Sequence, residues 1–247
     1  MAQFQILIAG TVFGVQSLFD STKDYCKQYL TPEEPEHFIT VCPEDLIFEQ
    51  EELDREAREE GMKRRKFTDP FLERTAIQRK AAQYLFRKKI LLFHGSGLAM
   101  DGEGYLFTAA KCGTGKSTHT RFWREVFGSR VAMVNDDKPF LQIAEDGIIM
   151  HGAPWSGKHG LQTNMAVPLK GICILERGSE NSIRRITPDD AMAMMLHQIV
   201  CPDEACRPHL EALAAELAEK TSLWQMACTK DPMAAQISRN AMAKTDD

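Results

Sequence analysis

No stretch of the sequence stays apolar for the roughly 18–20 residues that a bilayer-spanning helix needs. The apolar run near the start, Phe4 to Phe19, is broken by Gly10, Gly14 and Gln16 and follows no basic segment. It therefore predicts two strands, or a strand and a turn, and not a signal peptide or a membrane anchor. A disulfide framework is also missing: the 7 cysteines (Cys26, Cys42, Cys112, Cys173, Cys201, Cys206 and Cys228) are odd in number and scattered, which favours a reducing, cytoplasmic setting. So is an excess of positive charge. With 30 Lys+Arg against 35 Asp+Glu the net charge is −5, so no global field draws in nucleic acid or an anionic membrane. Any phosphate ligand must be held locally. There is no internal repeat, low-complexity tract or obvious linker either.

What remains is a folded α/β chain of 247 residues, 43% hydrophobic and 26% charged, long enough for a substantial core. The charge-dense stretch Glu49 to Lys66 starts acidic and ends basic, the polarity a helix dipole favours, and reads as a solvated face or loop. Asp69 and Pro70 open a helix whose apolar positions Phe71, Leu72, Ala76, Ile77, Ala81 and Leu85 recur at helical spacing. After Lys89 short apolar runs between glycines and charged turns predict buried strands: Ile90–Phe93, Tyr105–Ala110, Val131–Val134, Phe140–Ile143, Ile148–Met150 and Ile172–Leu175. Helices are expected over Ser117–Phe127, from Thr187-Pro188 to Ile199, from Asp203 to Leu217 and after Asp231-Pro232, with a last strand at Ser222–Met226. This divides the chain into a β/helical N-terminal elaboration (1–87) and a core with C-terminal helices (88–247).

The segment Tyr105 to Thr118 carries the most chemistry. An apolar strand runs through Ala110, Lys111 and Cys112 into Gly113-Thr114-Gly115-Lys116-Ser117-Thr118, where a helix begins. This is the order of a P-loop, with Ala110 in place of the usual first glycine. Gly113 and Gly115 would let Cys112, Thr114 and their neighbours turn backbone N–H groups toward phosphate oxygens. Lys116 would supply charge to the terminal phosphates, Ser117 a ligand to Mg²⁺, and Thr118 an α-phosphate contact. Cys112, next to Lys111 and a helix N-terminus, is also a candidate redox-sensitive thiol. A carboxylate at the end of a second strand completes metal-assisted phosphoryl transfer. Val131 to Val134 ends in Asn135-Asp136-Asp137, which offers one acid for the metal and one to take a proton from an attacking hydroxyl.

The order His94-Gly95, a short hairpin, Gly113-Thr114-Gly115-Lys116-Ser117 and then Asn135-Asp136-Asp137 resembles the catalytic domain of HPr kinase/phosphorylase, and more distantly the P-loop half of phosphoenolpyruvate carboxykinase. The resemblance is clearest from about Leu91 to Arg177. It implies a P-loop-containing mixed sheet of that type with flanking helices, using ATP and Mg²⁺. It further implies His94 beside the transferred phosphoryl group, Asp136 as general base, and Asp137 with Ser117 on the metal. A second glycine-bearing segment, Ala153-Pro154-Trp155-Ser156-Gly157-Lys158-His159-Gly160, is similar to one in small HPr-kinase-like proteins. There Lys158, with His159 and Asn164 as further candidates, would bridge the γ-phosphate and the acceptor; Arg177 is a weaker candidate for that role.

The leading expectation is therefore an ATP- and Mg²⁺-dependent kinase that phosphorylates a serine-type hydroxyl on a small metabolite or a peptide. It needs no nucleic acid or membrane partner, and a homo-oligomer is compatible with it. The alternative is a regulator that binds ATP and transfers nothing; it would need the loop and the metal acid but no base. His197, Cys201, Cys206 and His209 would suit zinc by type, yet their spacing follows no zinc pattern and reads as a helix-loop-helix.

Overall fold

The computed structural model describes residues 1–59, 61–111 and 113–243. They form two compact units, Met1–Arg87 and Lys88–Asp247. The first opens with strands β1 (Ala2–Ile8) and β2 (Thr11–Ser17), which pair antiparallel across Ala9-Gly10. Both turn residues have positive φ (47° and 74°), the twist a tight hairpin requires. β3 (His37–Thr40) adds to β2 in parallel, with the short helix α1 (Ser21–Tyr25) between them in sequence.

The helices α2 (Pro43–Glu59) and α3 (Asp69–Phe86) correct one expectation. The charged stretch is not a solvated face throughout, because Glu49 and Asp54 within it are buried, as is Asp45 just before it. Arg79 Nε of α3 donates to Glu49 at 2.6 Å and Lys80 Nζ to Asp45 at 2.7 Å, so the acidic side of α2 is matched by the basic side of α3. Arg64 pairs with Asp54 in the same way. Glu73 of α3, fully buried, accepts from the Leu18 and Phe19 amides and from Thr22 Oγ1, which supplies the partners a buried carboxylate requires.

The second unit has a mixed sheet. Its strands are β4 (Ile90–Leu92), β5 (Ser96–Met100), β6 (Glu103–Thr108), β7 (Val131–Asn135), β8 (Phe140–Ala144), β9 (Gly147–His151), β10 (Ala166–Arg177), β11 (Ser182–Arg185) and β12 (Ser222–Cys228). Among the described residues the order is β4-β8-β9-β10-β6-β5-β7, with β12 also on β10 and β11 on β12. β10 joins the parts: Ala166–Pro168 pair antiparallel with β9, and the rest runs parallel to β6 and β12.

The helices are α4 (Lys116–Phe127), α5 (Pro188–Gln198), α6 (Arg207–Glu219) and α7 (Met233–Met242). Phe122 and Trp123 of α4 and Ala234, Ala235 and Met242 of α7 share a core with Leu98, Tyr105, Phe107, Cys173 and Met226 from the sheet. Burying Trp123 completely removes its large apolar surface from water, which stabilises by about 2–3 kcal/mol. α6 begins at Arg207, later than Asp203, because Asp203 Oδ1 accepts the Cys206 amide at 2.9 Å and holds a turn there, and Pro208 fits the helix start. β11 has one apolar residue among four and carried no strand signal.

Candidate functional site

β6 ends at Thr108, whose Oγ1 donates to the His94 carbonyl at 2.9 Å. The chain then turns through Ala109 to Gly115 and enters α4 at Lys116. Gly113 (φ 76°) and Gly115 (φ 129°) both lie where a side chain would be strained. Gly115 is the N-cap and no described side chain caps the helix, so its positive end faces the loop uncovered. Thr114 Oγ1 donates back to the Lys111 carbonyl at 2.8 Å, and Ser117 is exposed on the first turn. Cys112 lies outside the described residues. Arg177, at the end of β10, donates to the Gly113 carbonyl at 2.9 Å, so it braces the glycine loop from its backbone side.

At the end of β7 the chain makes an acidic turn. Asn135 Oδ1 accepts the Asp137 and Lys138 amides, each at 2.9 Å, and the Asp137 carbonyl accepts the Gly95 amide at 2.8 Å. His94 Nε2 lies 3.7 Å from Asp137 Oδ1. Burial and the Lys116 charge push His94 down to about 4, against the opposing pull of Asp137, with Lys138 and His197 adding to the downward shift. His94 therefore sits beside the Asp137 carboxylate and within the field of the Lys116 charge. The α4 side is tied in by Ser96 and Thr120, whose buried hydroxyls are 3.1 Å apart.

Asp136 is buried, and its Oδ1 accepts the Gly157 amide at 2.7 Å. Burial raises its carboxyl above the usual range, opposed by the Gly157 N–H. A side chain at position 157 would begin 3.3 Å from Asp136 Oδ2, so glycine allows this close approach. Lys158, the next residue, is exposed, as are His159 and Asn164. Trp155 Nε1, Gln162 Oε1 and Gln198 Oε1 are buried without a partner, and all three sit in segments bonded to the acidic turn or to His94.

Most of the residues singled out in the sequence thus fall into two groups. His94 and Asp137 meet within the field of Lys116 at the start of α4, and Asp136 meets the segment that carries Lys158. Arg177 belongs to neither. Among the described residues no group of three His, Cys, Asp or Glu side chains is arranged to hold a metal ion, and Cys201 Sγ instead donates to the Asp203 carbonyl at 3.0 Å. The sequence did not single out His197 or Gln198 for the site, although the Gln198 carbonyl accepts the His94 amide at 2.8 Å. Nor did it assign Asn135 a role of its own; an Asn at a strand end, followed by a turn, is the one local signal available.

No family model matches the chain, and no curated protein matches its sequence. Among solved structures, the Hpr(Ser) kinase/phosphatase from Coxiella burnetii is similar over 62% of this chain and 96% of that chain, at 12% identity and a TM-score of 0.38.

Proposed function

We propose that residues 88–247 bind ATP with Mg²⁺ and transfer the terminal phosphoryl group to a serine-type hydroxyl, on a small molecule or a peptide. The observation that carries this reading is the meeting of the uncapped glycine loop with the acidic turn at His94. Backbone N–H groups from Gly113 to Thr118 cradle the phosphates, and Lys116 and the α4 dipole offset their charge. Ser117 and Asp137 hold Mg²⁺, a donor set of hard oxygens that suits this ion. Mg²⁺, when bound, neutralises charge on the phosphate oxygens. Asp136 takes the proton of the acceptor hydroxyl; Lys158 offsets charge on the side of the acceptor, and the neutral His94 ring orients by hydrogen bonding.

The test is a mass-spectrometric screen of the protein with Mg·ATP against hydroxyl metabolites, free serine and serine peptides, read as the mass gain of one phosphoryl group. Lys116→Ala is expected to lose ATP binding and transfer together. Transfer retained in that variant would remove the reading, and binding without transfer to any acceptor would make the chain a nucleotide-binding regulator.

A further inference from the structure

We infer that Asn135 is the positioning residue of this site: one carboxamide holds the acidic turn and the glycine-bearing segment 153–158 in a fixed relation. The catalytic consequence rests on the phosphotransferase reading; the geometric part does not.

Asn135 is fully buried. Its Oδ1 accepts the amides of Asp137 and Lys138 at 2.9 Å, which closes the turn around Asp136. Its Nδ2 donates to the Trp155 carbonyl at 2.7 Å and to the Ala153 carbonyl at 3.3 Å, which pins the second segment. A primary amide has two donors and an acceptor oxygen with two lone pairs, so every bond it can make is in use. Its own backbone is held between Gly97 of β5 and a bridge to Gln162.

The circuit then closes on itself. Two residues beyond Trp155, the Gly157 amide returns to Asp136 Oδ1 at 2.7 Å. Asp136 is thereby fixed twice, its backbone by the acceptor half of Asn135 and its carboxylate by a segment hung from the donor half. Aspartate offers no donors for the Ala153 and Trp155 carbonyls. Serine has one hydroxyl for four partners, and glutamine would push the amide out by a methylene. A carboxylate that must meet an acceptor hydroxyl tolerates little displacement: an error of about 1 Å costs about 100-fold in rate.

The test uses the whole chain and begins with amide hydrogen exchange. In the wild type the Asp137, Lys138 and Gly157 amides should show one common protection. Asn135→Asp keeps the acceptor and loses the donors, so it should speed exchange at Gly157 by about tenfold or more while leaving Asp137 and Lys138 within about threefold. Asn135→Ala should release all three. In the transfer assay Asn135→Asp should lower kcat about 100-fold with KM for nucleotide within about threefold, since the glycine loop is untouched.

Independent exchange of Gly157 in the wild type, or unchanged exchange at Gly157 in Asn135→Asp, overturns the coupling. Parallel losses of kcat, nucleotide affinity and unfolding temperature make Asn135 a packing residue and overturn it equally. A wild type that neither binds nucleotide nor transfers phosphoryl sinks the functional reading alone, and the exchange measurements still decide the geometry.

Discussion

Asp136 is 7% exposed, yet a backbone N–H is aimed at its carboxylate, an arrangement that orients the acid without neutralising it. Asp136→Asn retains the shape and the Gly157 contact but cannot take a proton. Nucleotide affinity should stay within about threefold while transfer falls by about 10²–10⁴-fold, as measured by equilibrium titration beside turnover. A second buried titrating group contributes to the acid response. His119 of α4 is 3% exposed, packs on Phe107, and has Nε2 within 3.0 Å of Ser238 Oγ and 3.3 Å of Trp123 Nε1. The single indole N–H of Trp123 faces two acceptors, His119 Nε2 and, at 3.0 Å, Ser238 Oγ, and this network holds the buried ring. Burial pushes His119 down to about 4. The unfolded chain therefore binds this proton more readily, and the stability is fully present above about pH 6.5 and lost as pH falls toward 4, by about 3 kcal/mol. Denaturant unfolding at a series of pH values should show that loss in the wild type and a shallower one in His119→Phe. Half-buried His151, also pushed down to about 4, supplies part of the remaining slope.

The elements most legible in the sequence were those with strong local signals. Thr187-Pro188-Asp189-Asp190 predicts a helix start, and α5 begins at Pro188 with Thr187 and Asp190 exchanging side-chain and backbone bonds. Thr187→Ala should cost about 1 kcal/mol in urea unfolding, and a cost near zero would mean that Pro188 and the surrounding packing suffice. The strands β4, β6, β7, β8 and β9 fall on the short apolar runs; β4 and β6 are buried along nearly their whole length, and strands covered on both faces need no alternation. β5 is different. Ser96 and Gly97 give its first half no apolar signal, and it entered the expectation only as half of the hairpin that the resemblance implied. Loops were legible in composition and not in position. Nothing in the residues around Trp155 says that their carbonyls face Asn135, because that contact depends on how β7, β9 and β10 are ordered.

At the scale of the molecule, a net charge of −5 directs attention to local devices for holding an anion, but composition says nothing of how the charges are matched. Nothing local in the sequence marks Asp45, Glu49 and Glu73 as buried, and only the pairing of α2 with α3 and of α3 with the chain around Leu18 gives them their partners. The sheet of the second unit has the same long-range character. Tyr105 on β6 pairs with Gly171 on β10, and Gly171 pairs in turn with Ser222 on β12. On the ribosome, where residues emerge in order at about 5–20 per second, the glycine loop is synthesised roughly 5–20 s before Ser222. Until then the sheet behind it is incomplete. The proposed site is thus completed late in synthesis, and a chain stalled before β12 would display a glycine loop and an acidic turn without the sheet that joins them.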